Sequence, residues 1–310
     1  MSLVINHNMM AMNASRNLTD HFGRLGTSTR RLSSGLRVGT AADDAAGLAI
    51  RELMRSEISS LHQGIRNAAD AISLIQTADG ALQVIDEKLI RMKELAMQAS
   101  TGTYNSDQRL IIDSEYQAMS SEINRIAAAT DFNGIYLLNG NLSGDPTSDH
   151  NGAGITSTGP LKIHFGTGND SAEDYYYVAI AGSSSSSFGL GHNAAIRGVA
   201  GDDAATRYAG QAISTQALAQ TAMAAINDAI ISKDKIRANL GAMQNRLENT
   251  ITNLEIQAEN LQAAESRISD VDVAQEMTEF VRNQILTQSA VAMLAQANSL
   301  PRMAMQLIGG

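Results

Sequence analysis

The stretch from Leu240 to Ile268 reads LGAMQNRLENTITNLEIQAENLQAAESRI, and an apolar residue recurs in it at every seventh position. The repeat consists of Leu240, Leu247, Leu254, Leu261 and Ile268. A seven-residue repeat gathers apolar side chains on one side of an α-helix, where a second helix can cover them. The stretch therefore predicts a long helix that packs along a partner helix.

Two segments near the N-terminus show a related pattern, in which apolar positions step by four and three residues. The first contains Leu18, Phe22, Leu25, Thr29, Leu32 and Leu36, and the second contains Met54, Ile58, Leu61, Ile65, Ala68, Ile72 and Ile75. A shorter helix with the same spacing is predicted at about 106–128, with a cap at Ser106-Asp107. We expect a mainly α protein, a long antiparallel helical bundle or coiled coil in which the N- and C-terminal parts pair.

Two breaks divide the predicted helices. The first extends from Ser33 to Asp44 and contains Gly35 and Gly39, and the second is 269–272, with acids that suit a helix start. Short flanks of about 1–34 and 272–300 lie outside the breaks, and long helices of about 45–99 and 211–268 lie inside them. The matched lengths predict a chain that runs out and returns alongside itself, as a rod of roughly 80 Å.

The middle of the chain has a different composition. Gly, Ser, Thr and Asn are concentrated in 139–160 and 181–206, including five consecutive serines at 183–187. Strand-forming residues from Leu161 to Phe165 and from Tyr175 to Ile180 predict a β-hairpin over about 161–180. A short strand is also expected at 135–138, after Asn133-Gly134.

Composition excludes several classes of function. The chain has no cysteine, so it has no disulfide, thiolate metal site or cysteine nucleophile. Its six histidines are scattered without metal-ligand spacing, and no phosphate-binding glycine loop occurs. The net charge is −9 and no Lys/Arg-rich stretch stands out, so nucleic-acid binding is not expected. We expect no enzyme, no cofactor, no bound metal, no signal peptide and no membrane insertion.

The terminal flanks carry few charges. Nothing before Arg16 is charged apart from His7, and 283–300 contains no charged residue. An exposed helix of a soluble monomer normally has a charged face. One interpretation is that the flanks pack fully on each other and on the long helices. The other is that neighbouring copies complete their burial, as in a helical filament, and that the free subunit leaves them largely unfolded.

Several segments of the sequence resemble bacterial flagellin. They are MSLVINHN at 1–8, LSSGLR at 32–37, AADDAAGLAI at 41–50, NAAD at 67–70, ISLIQTADGAL at 72–82, FNG at 132–134, LGAMQNRL at 240–247 and LAQAN at 294–298. The resemblance covers roughly 1–140 and 211–300. It implies an inner coiled-coil tube domain of 1–44 and 270–310, and a rod domain of 45–190 and 207–269. The remaining residues, 191–206, would be a short remnant of the variable outer region.

The resemblance also implies a function and partners. The chain would polymerise into the filament for swimming motility, with an assembly core of Leu18, Phe22, Leu25, Leu32, Leu36, Ile285, Val291 and Leu294. It would be extracellular after export through the flagellar type III apparatus. An export chaperone would bind the C-terminal flank, and filament cap and hook-junction proteins would be further partners.

A host receptor is implied as well. The resemblance places a site for Toll-like receptor 5 at Arg91, Glu94, Leu95, Gln98 and Glu115. Ile90 and Lys93 depart from the commoner Gln and Arg of receptor-detected members, so weaker recognition is expected. The strip would also serve as a subunit interface.

Three alternative functions differ in class. A hook–filament junction protein would have similar ends but would form a ring of few copies. A flagellin scaffold with an inserted enzyme would need a catalytic constellation, which the short middle region does not offer. A coiled-coil signalling module would need a membrane span or a catalytic output.

Overall fold

The computed structural model describes residues 8–143, 159–170, 173–190 and 212–308, with the side chains of 300–302 and 304–308 left out. The described helices are α1 (Met9–Ser34), α2 (Ala45–Ser100), α3 (Ser106–Ala129), α4 (Gln216–Ser269) and α5 (Val273–Ile308). The described strands are β1 (Asp131–Phe132), β2 (Ile135–Tyr136), β3 (Leu161–His164) and β4 (Tyr175–Val178). The predicted mainly α fold with a small β region is confirmed. None of the described helices combines the length and apolar character of a membrane-spanning segment.

The chain divides into two compact units. The terminal unit comprises 1–58 and 258–310, and the central unit comprises 59–257. Helices α2 and α4 contribute residues to both units.

In the terminal unit, α1 packs against α5. Asn8 caps α1, because its Oδ1 accepts a hydrogen bond from the Ala11 N–H at 3.1 Å, and its Nδ2 donates to the Ala297 carbonyl at 2.8 Å. Gly35 ends α1 in the left-handed conformation, at φ 74°. Asp272 caps α5 by accepting from two backbone N–H groups. Both predicted breaks are therefore confirmed.

The connection between α1 and α2 is fixed by polar contacts within the terminal unit. The Arg37 guanidinium donates to the Arg267 and Ile268 carbonyls at the end of α4, at 3.2 and 2.8 Å. Such carbonyls lack partners inside the helix, and a cation stabilises them. The buried Arg51 donates to the Val38 carbonyl at 2.7 Å.

The apolar core of the central unit uses the predicted periodic residues. Leu240, Leu247 and Leu254 are buried, whereas Leu261 and Ile268, in the terminal unit, are half-buried. Large, fully buried side chains of this core include Ile75, Leu82, Ile85, Leu89, Met92, Leu95, Tyr116, Ile123, Leu137, Leu138 and Leu142. They come from α2, α3 and the segment after β2, and they form one cluster with buried residues of α4.

Two ion pairs show that α2 and α4 run antiparallel in the central unit. Lys233 Nζ lies 2.6 Å from Asp86 Oδ1, and Arg237 Nε lies 2.7 Å from Asp79 Oδ1. The residue number therefore falls along α2 while it rises along α4. Lys233 is only 2% exposed, so its ammonium depends on Asp86 and on the neighbouring Asp234.

Both predicted β segments occur in the structure. Asn133 and Gly134 have φ values of 52° and 81°, which match the two-residue turn that joins β1 to β2. Strands β3 and β4 pair antiparallel, with Leu161 opposite Val178, so the predicted hairpin is confirmed. The hairpin contacts α2, because Asn67 Nδ2 donates to the His164 carbonyl at 2.8 Å.

Three helix boundaries differ from the predictions. The cap of α3 is Asn105 and not Ser106, because Asn105 and Gln108 exchange hydrogen bonds of 2.8 and 3.1 Å. Helix α4 begins at Gln216 instead of 211, after a segment held by the bond from the Ile213 N–H to Asp113 at 2.6 Å. Helix α5 continues through Pro301 to Ile308 instead of ending at about 300, although an interior proline removes one backbone donor and crowds the carbonyl four residues before it.

Two serines of the run at 183–187 are packed, whereas Ser186 and Ser187 are exposed. Ser183 and Ser185 are buried, and the Asn124 Oδ1 accepts from both the N–H and the Oγ of Ser185 at 2.9 Å. The predicted variable remnant at 191–206 lies outside the described residues, as do 1–7 and 309–310.

Candidate functional site

The buried positions at the interface between α1 and α5 hold small and polar side chains. Ser28, Asn283, Thr287 and Ala297 are each less than 10% exposed there, at 4%, 6%, 9% and 6%. A coiled coil usually fills such positions with leucine, isoleucine or valine. These four positions therefore contribute little apolar burial to the pairing of the two helices.

A polar groove runs along this interface. It has a volume of about 720 Å³ and is lined by Thr19, Asp20, Gly23, Arg24, Thr27, Ser28, Arg31, Glu276, Glu279 and Asn283. Arg31 Nη1 lies 3.5 Å from Glu276 Oε2, while Arg31 Nε is buried without a hydrogen-bond partner. An unpaired buried donor costs free energy. The contact of α1 with α5 is therefore incompletely satisfied in the single chain.

Large apolar side chains lie on the opposite, outward faces of the same helices. Phe22 is 63% exposed, Ile285 is 57% exposed and Val291 is 52% exposed. We call these three residues the outward apolar set. Other exposed apolar residues on the two helices are Met9, Met10, Met12, Val273, Met277, Val281, Leu286, Met293 and Met303. Soluble monomers rarely expose so much apolar surface together, and such surface usually marks an interaction site.

The structure separates the predicted assembly core into two groups. Leu18, Leu25, Leu32, Leu36 and Leu294 are half-buried, whereas the outward apolar set is exposed. Sequence reasoning missed the polar residues of the interface, although a signal was available. Positions 283, 287, 290, 294 and 297 step by four and three, and each is buried or half-buried.

The connection before α2 contains a carboxylate with several donors. Asp43 accepts hydrogen bonds from the Thr40 hydroxyl at 2.8 Å and the Thr40 N–H at 3.1 Å, and it pairs with Arg30 at 2.7 Å. These contacts, led by the Thr40 hydroxyl and aided by the Arg30 charge, lower the pKa of Asp43 below its ordinary value. Asp43 thus joins α1 to the start of α2.

A second surface lies on α2 and α3 and includes most of the predicted receptor residues. Arg91 donates from Nε and Nη2 to Glu115 Oε1 at 2.9 and 2.8 Å, and from Nη1 to Glu94 Oε2 at 2.9 Å. The bonds to Glu115 and then Glu94 raise the pKa of Arg91. Gln98 is also exposed, and it donates to the Tyr104 hydroxyl at 3.0 Å. Leu95 differs, because it is 1% exposed and belongs to the core.

Comparison with known proteins decides the family. Residues 5–143 match the bacterial flagellin N-terminal helical region, and residues 223–308 match the bacterial flagellin C-terminal helical region. A flagellin of Halalkalibacterium halodurans is 42% identical over 99% of this chain and 100% of its own length. This chain belongs to the bacterial flagellin family. The flagellar filament 33 kDa core protein of Treponema phagedenis is 39% identical over 99% of this chain and 100% of its own length. A Bacillus subtilis flagellin is 40% identical over 98% of this chain and 99% of its own length.

Family membership settles the broad function. The chain is a flagellin of the short form, without a large variable domain, since relatives of similar length match it from end to end. Flagellins are structural proteins of the filament, so this one is a structural subunit and not an enzyme. The resemblance found in the sequence is confirmed. Within the described residues, no group of three or more His, Asp or Glu side chains is placed to hold a metal ion.

Proposed function

We propose that this flagellin polymerises through the outward faces of α1 and α5, and that neighbouring copies cover the outward apolar set. The observation that supports the proposal is the inverted pattern of the terminal unit. Polar and small side chains are buried between the two helices, while Phe22, Ile285 and Val291 are exposed. A second copy is the partner whose covering of these faces would turn exposed apolar surface into buried surface.

Covering the outward apolar set would contribute favourable free energy to assembly. Full burial of a large apolar side chain stabilises a protein by about 1.5–3 kcal/mol. More than half of each side chain in the outward apolar set is still exposed, so each would contribute roughly 1–2 kcal/mol when a neighbour covers it. Many such contacts along a filament would hold subunits together, although each side chain contributes only roughly 1–2 kcal/mol.

A charge-insertion experiment tests this proposal. Ile285→Asp and Val291→Asp place a carboxylate where a neighbour would cover it, and the cost of burying that charge should slow elongation on filament seeds at least about a hundredfold. Elongation is measured by electron microscopy of filament length after seeds are added. Helix content of the free subunit should not change, because both side chains are exposed.

Asn227→Asp is the matched control, since Asn227 is an exposed polar residue of α4 in the central unit. It adds the same charge outside the terminal helices and should change elongation by less than about threefold. Normal elongation of both α5 variants would refute the proposed surface.

We also propose several finer assignments, which the family resemblance implies. The inner domain would be 1–44 with 270–310, and the domain of long helices would be 45–190 with 207–269.

The subunit would reach the cell exterior through the flagellar type III apparatus, with an export chaperone on the C-terminal flank. Exposed Val281, Ile285 and Met293 on α5 give that chaperone an apolar face to bind. Removal of 273–310 should abolish chaperone binding in a pull-down, and retained binding would reject this assignment. Filament cap and hook-junction proteins would be further partners.

We also propose that Toll-like receptor 5 recognises the surface around Arg91. Support comes from the exposed Arg91 guanidinium that Glu94 and Glu115 orient, with Gln98 two helical turns further along α2. Leu95 would contribute indirectly, by packing this part of α2 into the core.

Binding of purified monomer to the receptor ectodomain tests the assignment. Arg91→Ala should weaken binding about tenfold or more, because it removes an oriented cation. Arg125→Ala is the matched control, since Arg125 is an exposed α3 arginine that pairs with Glu122 at 2.6 Å. Leu95→Ala should weaken binding together with the melting temperature. Equal affinity of wild type, Arg91→Ala and Leu95→Ala would end this proposal.

A further inference from the structure

Exposed methionines are concentrated on the two terminal helices. The sequence holds 14 methionines, and the side chains of all except Met1 and Met305 are described. Seven of these are exposed, and six of the seven lie on α1 and α5. They are Met9, Met10, Met12, Met277, Met293 and Met303, with exposed fractions from 44% to 62%. We call them the terminal methionines. The seventh is Met97 on α2, and Met92 is fully buried.

Composition makes these thioethers the principal targets of a mild oxidant. The sequence contains no cysteine and no tryptophan. Methionine reacts with a peroxide when a sulfur lone pair attacks one peroxide oxygen. The S–O bond forms, the O–O bond breaks, the sulfur is oxidised and the peroxide is reduced to water. The product is a polar sulfoxide in place of a flexible apolar side chain.

We propose that the terminal methionines make assembly of this flagellin sensitive to oxidation. The inference rests on the proposed function, in which neighbouring copies cover the outward faces of α1 and α5. A sulfoxide on such a face carries a strong acceptor that an apolar neighbour cannot satisfy, so the oxidised subunit loses its contact. A subunit already inside a filament is protected, because the same burial keeps peroxide from the sulfur.

The clearest test compares wild type with a variant in which all six terminal methionines are leucine. Leucine keeps the apolar volume but cannot be oxidised under these conditions. Free subunits are treated with hydrogen peroxide, the peroxide is removed, and elongation on untreated seeds is measured. Oxidised wild type should elongate at least about tenfold more slowly than untreated wild type, whereas the leucine variant should change by less than about threefold.

Two further measurements keep the test informative if the leucine variant folds or assembles poorly. Treatment of oxidised wild type with methionine sulfoxide reductases of both stereospecificities should restore elongation. The thiol reductant that these enzymes need cannot alter the chain otherwise, because it has no disulfide. Mass spectrometry of peptides should show the terminal methionines oxidised about tenfold more slowly in filaments than in free subunits. Buried Met92 should resist oxidation in filaments and in free subunits alike.

The outcomes separate this inference from the proposed function. Normal elongation of oxidised wild type, or equal loss in the leucine variant, would overturn the role of the terminal methionines. In that case, slow elongation of Ile285→Asp in the same assay would still support the proposed assembly surface on α1 and α5. Normal elongation of Ile285→Asp would overturn both.

Discussion

Replacement of Gly64 by alanine should destabilise the central unit through one contact with the hairpin. Gly64 is buried in α2 beside Phe165, the residue that follows β3. A Cβ at Gly64 would overlap the Phe165 carbonyl oxygen, and it would lie 2.8 Å from the Phe165 carbonyl carbon and 3.1 Å from its Cα. Backbone atoms cannot rotate away as a side chain can. The hairpin must therefore shift, which also strains the hydrogen bond from Asn67 to His164.

The magnitude follows from two opposing effects. Overpacking of a tight contact costs about 1–3 kcal/mol. Alanine instead of glycine inside a helix gains about 0.5–1 kcal/mol. We therefore expect Gly64→Ala to lower the free energy of unfolding by roughly 1–2 kcal/mol. The measurement is urea unfolding of the full-length monomer, followed by circular dichroism.

Gly80→Ala is the matched control on the same helix. Gly80 is exposed, and a Cβ there would meet no atom within 4 Å. This variant should be stabilised by up to about 1 kcal/mol, since only the helix propensity changes. If Gly64→Ala is stabilised to the same extent as Gly80→Ala, the close approach of the hairpin to α2 is refuted.

Two further predictions concern charged groups. Asp86→Asn leaves the buried Lys233 with only Asp234, so it should lower the free energy of unfolding in urea by about 2 kcal/mol or more. Asp234→Asn should lower it by less than about 1 kcal/mol, because Asp234 is 60% exposed. Equal effects of the two substitutions would contradict the assigned roles. The pKa of Asp43 is lowered, mainly by Thr40, so its stabilising contribution is present above the ordinary value of 3.8 and is lost as the pH falls further. Asp43→Asn should therefore lower the melting temperature at neutral pH but not in strong acid, and a loss that persists in acid would contradict this linkage.

The sequence predicted the parts of the fold that periodicity controls. Leu240 and Leu247 are buried as their spacing requires, and the strand expected after Asn133-Gly134 begins at Ile135, although it ends at Tyr136. The cap of α3 was assigned one residue late, because Ser106 and Asn105 are both good caps. They are distinguished only by the hydrogen bond from the Asn105 N–H to the Gln108 side chain, which completes a capping box. Local propensity does not contain that information.

The candidate site was predicted less completely. Spacing identified apolar positions on α1, and the resemblance implied those on α5. Neither could show which would face inward, since Phe22 and Leu25 belong to one pattern and differ in exposure. Asn283 and Thr287 were missed because polar residues do not register as interface positions in an apolar pattern. Leu95 was assigned by resemblance to a receptor surface, yet a family pattern does not report whether a side chain is buried.

A filament structure at side-chain resolution tests the central claim most directly, through the exposed fractions of Phe22, Ile285 and Val291. In the single chain these fractions are 63%, 57% and 52%. We expect neighbouring subunits to reduce each of these fractions to about 10% or less in the filament. If all three side chains remain more than about half exposed to solvent there, the outward faces of α1 and α5 are not the assembly surface.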